Sequence, residues 1–306
     1  MHLVTACFVL VVLAIIGAGL WRAPVARHAF MPSGVKGLVR TKDGPPQFVP
    51  PSDADIPKDD FGAQVRLGQA IFLQTKTNAP AYSGNDLRCA SCHLDAGRLP
   101  NSAPLWGAYV LYPQFRAKNH HVNSFQERMQ GCFRYSMNGK APLLGDPVLV
   151  ALESYAFFLS KGAPTGVKLA GQGYPKLPTP TLPMDYSRGQ DVYQANCAIC
   201  HGNDGRGQRA RGAVVFPPVW GPDSYNWGAG MSDIKNAAGF IKANMPLGKG
   251  GSLTEQQAWD VAAFIDSQPR PQDPRFNGSV EATRAAFHSN TDSMYGKTIN
   301  GVTLGQ

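Results

Sequence analysis

Two stretches of the chain repeat one pattern: CASCH, from Cys89 to His93, and CAICH, from Cys197 to His201. Each holds a pair of thiols with two residues between them (Cys89 and Cys92, Cys197 and Cys200) and a histidine directly after. C-x-x-C-H is the attachment signal for c-type haem. The two thiols reach the two vinyl groups of one porphyrin, and His93 or His201 then lies under the iron as proximal ligand. A lone C-x-x-C also fits a redox dithiol or half a zinc site. A shared zinc site would have to unite pairs more than 100 residues apart, each of which already carries its own histidine. The cofactor reading is two covalently bound haem c groups.

Each iron has one further axial position. In the second half the candidate is Met245, in KANMPLGKGG, 44 residues after His201. Met–His ligation raises the potential and suits electron transfer. Met245 as core filler, or Met231 from an earlier glycine-rich loop, are the other readings. In the first half Met137 also lies 44 residues after His93, so the repeat by itself favours it. Its rival is Cys132, 39 residues after His93. The two chemistries are opposed, because a thiolate lowers the iron potential and a thioether raises it.

The setting of Cys132 shifts that balance. SFQE (Ser124 to Glu127) is a capping box, so a helix should start near Phe125. On that helix Arg128 and Cys132 are i and i+4 and share a face, with Ser136 one step further along. Between Pro113 and Lys140 five Lys and Arg residues (Arg116, Lys118, Arg128, Arg134, Lys140) face a single acid, Glu127. A thiol among fixed cations is largely thiolate. A free cysteine is more often buried and inert, but these basic surroundings argue against that fate.

The elements that position these residues follow one plan, used twice. RLGQAIF (Arg66 to Phe72) precedes the first motif and SRGQDVY (Ser187 to Tyr193) the second. In each an aromatic follows a glycine by four residues, which is one helical face. Each copy ends in an apolar helix, DPVLVALESYAFFLS and TEQQAWDVAAFIDS, the latter with an N-terminal capping box at Thr254 and Gln257. The expected fold is all-α: two class I cytochrome c-type domains with long haem-wrapping loops, over 61–163 and 185–270. A Pro/Gly-rich stretch over 164–184 reads as an extended, semi-rigid linker. Residues 22–60 read as surface-wrapping coil, and 271–306 as a tail that packs over the domains. Trp106, Trp220 and Trp227 read as haem-pocket packing. GNDGRGQRARG (Gly202 to Gly212) follows a haem motif and no strand, so it reads as a haem-edge loop and not a phosphate cradle.

With 306 residues the chain can bury one large or two ordinary cores. Its formal charge of +8 suits an anionic substrate or an acidic partner. No recognition-helix or aromatic-basic signature speaks for nucleic acid. Residues 1–21 are a signal peptide or membrane anchor, with an apolar run of about 19 residues, close to the length that spans a bilayer. Arg22 and Arg27 follow the run, which by the positive-inside rule would keep the body in the cytoplasm. Covalent haem attachment occurs outside the cytoplasm, so the expected location is the periplasm.

The block FQERMQGCFRYSMNGK, followed by GDPVLVALESYAFFLSKGAP and preceded by CASCHLDAGRLP, resembles the dihaem thiosulfate dehydrogenases, also called tetrathionate reductases. The resemblance runs from about Phe61 to the end, and its specific part is R-x-x-x-C-F-x-x-S-M-N-G. It implies that Cys132 is the distal ligand of the first haem and lies in the active site. Arg128 would be the substrate-binding arginine, Ser136 the matching serine, and Arg116 or Lys118 the other basic residue. Some members carry Lys-Met at the second haem and switch ligands on reduction. This chain has Asn244-Met245, so no lysine switch is expected. The implied activity couples two thiosulfates to tetrathionate, or the reverse. Electrons would pass from haem 1 to haem 2 and on to a soluble cytochrome c or similar acceptor. The rivals are a plain dihaem electron carrier, a dihaem peroxidase using His120 or His121, and a sulfur-oxidation haem subunit that loads thiosulfate onto a carrier cysteine.

Overall fold

The structure, a computed structural model, describes residues 38–39 and 47–306. The leader over 1–21, with Cys7, lies outside them, as does much of the coil over 22–60. Among the described residues no helix is long and apolar enough to cross a membrane.

Along the chain come the hairpin β1 (Leu38–Val39) and β2 (Gln47–Phe48), then α1 (Asp60–Leu73) and α2 (Leu105–Tyr109). Next are the hairpin β3 (Gln114–Arg116) and β4 (His121–Asn123), α3 (Phe125–Gly131) and α4 (Pro147–Leu159). The second half holds α5 (Tyr186–Asn196), the hairpin β5 (Gln208–Ala210) and β6 (Ala213–Phe216), α6 (Ile234–Asn244) and α7 (Glu255–Asp266). It closes with α8 (Val280–Phe287) and the hairpin β7 (Thr298–Ile299) and β8 (Val302–Thr303). The sheets among the described residues are all two-stranded. The fold is thus helical, as expected, with small hairpins added. The first strand of one of them, β5, falls inside the stretch Gly202–Gly212, which sequence alone reads as a haem-edge loop.

Local chemistry starts the helices where the sequence places them. The Asp59 carboxylate accepts from Gly62 N at 2.9 Å and opens α1. Thr254 and Gln257 form their reciprocal box at 2.9 and 3.1 Å and open α7. The first helix of each copy then crosses the last, α1 on α4 and α5 on α7. A Cβ on Gly68 would lie 2.0 Å from the Ala151 carbonyl oxygen, and one on Gly189 would lie 2.1 Å from that of Asp260. The paired aromatics pack beside these crossings, Phe72 with Tyr155 at 5.7 Å and Tyr193 with Phe264 at 5.5 Å. Gly68→Ala and Gly189→Ala must each push two helix backbones apart. Each is expected to cost about 1–3 kcal/mol or more, seen as a lowered Tm of the holoprotein. An unchanged Tm would show that the crossings are loose.

Two buried cores follow, and they do not respect the sequence boundaries. The first gathers Val65, Phe72, Trp106, Phe133, Leu149, Tyr155 and Leu159, but also Tyr225 and Ala229 from the second half. The second gathers Tyr193, Trp227, Phe240, Trp259 and Phe264 together with Val280, Tyr295 and Leu304 of the tail. Trp106, Trp220 and Trp227 are all core residues.

The stretch over 164–184 is not a spacer. Leu169 is buried in the first core. Gly171 O and Gly173 O accept from Asn101 N (2.7 Å) and Ala103 N (3.0 Å), and Pro178 O accepts from Trp259 Nε1 (3.0 Å). A Pro/Gly-rich chain forms no regular helix or sheet ladder of its own, so most of its carbonyls are free for its neighbours.

The tail is pinned at Asp273. Its carboxylate accepts from Arg275 Nη2 at 2.6 Å and lies 2.8 Å from His288 Nε2. Burial would raise this carboxyl, but the bonds from His288 and Arg275 hold it well below the usual carboxylate range. Ser293 Oγ lies 3.2 Å from His288 Nδ1, which completes a Ser-His-Asp order seen in hydrolases. All three residues are buried, and Tyr295 stacks on His288 at 4.4 Å, so the group is a structural pin.

Candidate active site

The two histidines of the repeated motif are prepared in the same way. His93 Nδ1 lies 2.7 Å from Ala103 O, and His201 Nδ1 lies 2.8 Å from Pro217 O. A carbonyl can only accept, so Nδ1 carries the proton and Nε2 keeps its lone pair. Burial pulls both imidazoles below the ordinary histidine value, towards the neutral, ligating form. Cys89 packs on the first core and Cys197 on the second, which separates the two pairs and excludes a shared zinc site. All four thiols of the motifs are free of disulfides. Burial pushes Cys89 up to about 12 and Cys92 to about 11, and Cys197 to about 11. Each motif therefore offers two free thiols beside an imidazole with a free lone pair, a donor set that fits covalent haem c.

Cys132 faces the first of these sites. The Ser124–Glu127 box forms, at 3.2 and 2.6 Å, and launches α3. Arg128 and Cys132 then meet as i and i+4, with Arg128 Nη1 donating to Cys132 Sγ at 2.9 Å. The Cys132 charge raises Arg128 above the usual guanidinium value, although burial opposes it. The same sulfur bears on Cys89 and Cys92, and the Arg128 charge bears on His93. Met137, the rival favoured by repeat spacing, is buried at 3% exposure in the first core.

At Cys132 the helix widens into a π segment, Cys132–Ser136, closed by Met137 N on Cys132 O at 3.0 Å. This departs from the expected regular α-helix, because the turn closes five residues on and not four. Ser136 gives its carbonyl to Asn85 Nδ2 (3.0 Å), and its hydroxyl has no protein partner among the described residues. Loop residues of the second half hold the segment in place. Asn226 Nδ2 donates to Arg134 O at 3.0 Å, and Asn226 N donates to Tyr135 O at 3.2 Å.

Two further cations, Lys118 and Arg275, meet at the Tyr135 ring. Lys118 is exposed along its stem, but its ammonium reaches inward to Gly228 O and lies 4.1 Å from the centre of the Tyr135 ring. Burial of that ammonium, aided by Arg275, Arg128 and Arg116, pulls Lys118 down to about 8. Arg116 donates to the Tyr112 hydroxyl at 2.7 Å. Arg275, from the tail, sits 5.1 Å from the Tyr135 ring centre. Sequence reasoning missed Tyr135, Arg275 and Tyr174. Tyr135 lay in the quoted block without a role, and Arg275 is 143 residues from Cys132. Tyr174 comes from the strap over 164–184, and burial, then Cys92, pushes its hydroxyl up while Arg128 opposes. Nothing local in the sequence signals the last two.

Other candidates fall elsewhere. His121 pairs with Glu127 at 3.1 Å on an exposed surface, and His120 is exposed, so neither fits the distal role a peroxidase would need. In the second half Met245 ends α6 and packs on the second core, while Met231 touches both cores. Asn244 is buried and gives its amide to Asn101 O and Phe240 O, each at 3.0 Å. Arg209 of the hairpin β5–β6 pairs with Asp86 at 2.6 Å, which ties it to the segment before Cys89.

Residues 79–165 match the SoxA/TsdA cytochrome c domain, and residues 185–265 match the cytochrome c oxidase cbb3-type subunit III family. The thiosulfate dehydrogenase of Thiomonas intermedia is 58% identical over 259 residues, covering 85% of this chain and 82% of that protein. The thiosulfate dehydrogenase of Stutzerimonas stutzeri is 52% identical, covering 86% of each. The solved structure of the thiosulfate dehydrogenase TsdBA from Marichromatium purpuratum, as isolated, superposes with a TM-score of 0.83 at 49% identity. The match takes in 85% of this chain and 58% of that longer one. With two cytochrome c domains and two covalently bound haem c groups, this chain belongs to the thiosulfate dehydrogenase family.

Proposed function

We propose that the protein is a periplasmic enzyme that couples two thiosulfates into tetrathionate, or runs the reverse. The observation that carries this reading is the 2.9 Å contact between Arg128 Nη1 and Cys132 Sγ beside the first haem motif. A plain electron carrier has no use for a sulfur paired with a guanidinium inside a cationic cluster. When bound, the two haems would supply one-electron acceptors, first the Cys132 side and then the Met245 side, with a soluble cytochrome c or similar protein beyond. In this assignment His93 and Cys132 hold the first iron, and His201 and Met245 the second.

Each thiosulfate is a dianion, so two of them approach only where fixed cations offset the repulsion. Arg128, Arg116 and Lys118 supply that field, and the arginine forks suit sulfonate oxygens. Arg128 also donates to the Cys132 sulfur and orients it. Cys132 sulfur and the terminal sulfur of one thiosulfate join as a protein-bound S–S–SO3 group, with loss of two electrons. The second thiosulfate attacks that group, tetrathionate leaves, and the Cys132 thiolate is restored. Ser136, half-buried with an uncommitted hydroxyl, is a further hydrogen-bond donor for sulfonate oxygen.

Turnover of the purified holoprotein with thiosulfate and an oxidant, and with tetrathionate and a reductant, tests the reading. Activity with neither would leave an electron relay. A second test uses pH. Lys118 titrates at about 8, so it is cationic below that pH and neutral above it. Thiosulfate stays a dianion throughout, so its KM should climb a few-fold between about pH 7 and 9. Lys118→Arg keeps the charge and should flatten that climb. A KM that is level in the native enzyme would remove Lys118 from the substrate site.

A further inference from the structure

Ile199, inside the second haem motif, is 81% exposed. It belongs to a single helical turn in which His201 N donates to Cys197 O at 2.9 Å. Cys197, Cys200 and His201 stand at i, i+3 and i+4, so they share the face that takes the porphyrin. Ile199 lies on the opposite face, and haem attachment does not cover it. The first motif differs at this place. Its matching residue, Ser91, is half-buried, and its Oγ accepts from Arg88 N at 3.1 Å.

The hairpin β5–β6 makes the same distinction between the motifs. It covers the approach to the first, where Arg88 donates to Val214 O and Arg209 pairs with Asp86 at 2.6 Å. At the second it braces the backbone and leaves the side chain open, because Gln208 Nε2 donates to Ile199 O at 2.6 Å. Val215 of β6 is a further exposed apolar residue, at 51%. Between Gly202 and Val219 three arginines (Arg206, Arg209, Arg211) stand against one acid, Asp204. Asp204 accepts from the Arg206 backbone N at 3.1 Å. The Arg206 and Arg211 side chains are exposed and make no ion pair among the described residues.

Apolar side chains beside uncommitted arginines suit an interface that is apolar at its centre and charged at its rim. The sign of the charge asks for an acidic partner. Ile199 is the chain neighbour of Cys200, whose sulfur would carry the porphyrin edge, so a partner seated on Ile199 is close to that edge. We infer that Ile199 and the hairpin β5–β6 form the docking surface for a small acidic redox protein that takes one electron from the second haem. The electron passes from ferrous iron to the partner's oxidised cofactor, and no bond is made or broken. The inference rests on the second haem as the exit in the reading above, and not on the coupling of thiosulfate.

The test is stopped-flow oxidation of the dithionite-reduced holoprotein by an acidic and by a basic small cytochrome c, so thiosulfate plays no part in it. The native protein should reduce the acidic cytochrome faster, and that rate should fall as salt rises. Reversing two charges, Arg206→Glu with Arg211→Glu, should slow it about tenfold at low salt and abolish the salt dependence. Ile199→Ser should slow it several-fold at every salt concentration, through lost apolar contact. Lys58→Glu, at the start of α1, changes the net charge without touching this face and should stay near native. Haem content and midpoint potentials, measured alongside, should be native in all variants. Native rates in both the arginine and the Ile199 variants would overturn the inference, as would an equal loss in Lys58→Glu or a preference for the basic cytochrome. A dimer of the native protein that the same variants dissolve would also overturn it, because the face would then belong to a second copy. Absence of thiosulfate turnover with these rates as expected would sink only the coupling chemistry.

Discussion

Cys132→Ala is expected to lower thiosulfate oxidation by about three orders of magnitude or more, the scale of losing a covalent nucleophile. Both haems should still attach, because Cys132 stands outside the two C-x-x-C-H motifs. The comparison therefore pairs turnover with haem content and with the spectrum of each haem. The first haem should lose its thiolate character, and the second, on the Met245 side, should keep its spectrum. Cys132→Met separates two roles that alanine removes together. A thioether can ligate iron and raises its potential, but it cannot form the S–S bond. That variant should carry electrons and fail to couple thiosulfate. Near-native turnover in either variant, with full haem content, would show that the sulfur is a bystander.

Arg128→Ala is expected to lower kcat/KM for thiosulfate by about 10²–10³, the usual loss when one preorganised donor to a developing anion is removed. Two effects combine. The substrate loses a forked cation, and Cys132 loses the hydrogen bond at 2.9 Å that draws charge off its sulfur. Without that bond the thiolate donates more strongly, so the potential of the first haem should fall. Arg128→Lys restores charge but not the fork, and should recover only part of kcat/KM. A loss below about threefold in Arg128→Ala, well short of a single donor's usual worth, would reassign substrate binding to Arg116 and Lys118. Arg275 lies against the Tyr135 ring and cannot replace Arg128, because its guanidinium is engaged by Asp273.

The cluster explains why this surface is assembled from distant pieces. Five like charges along one short stretch repel each other if left to local structure alone. The fold spreads them instead. Arg128 goes to Cys132, Lys118 to the Tyr135 ring and Arg116 to Tyr112. The π segment and the Asn226 clamp then fix the backbone that carries Cys132 and Tyr135.

Much of the protein was legible in one dimension because its signals are local. The C-x-x-C-H spacing specifies haem c through bonds within five residues. The capping boxes at Ser124 and Thr254 form as read, since they depend on a side chain and a backbone three positions away. The i, i+4 relation of Arg128 and Cys132 needs only one helical turn. The glycine-aromatic pairs mark the helix crossings because only glycine lets two backbones approach at Gly68 and Gly189. What the tertiary structure decided involves groups far apart in sequence. The linker became a strap because its free carbonyls met donors at Asn101, Ala103 and Trp259. The helix took a π turn at Cys132–Ser136 whose carbonyls accept from the distant Asn85 and Asn226. Arg275 met Tyr135, and Tyr174 met Phe240, through packing of the tail and the strap. Chain spacing carries no record of such meetings, because burial energy depends on which surfaces come together and not on their order along the chain.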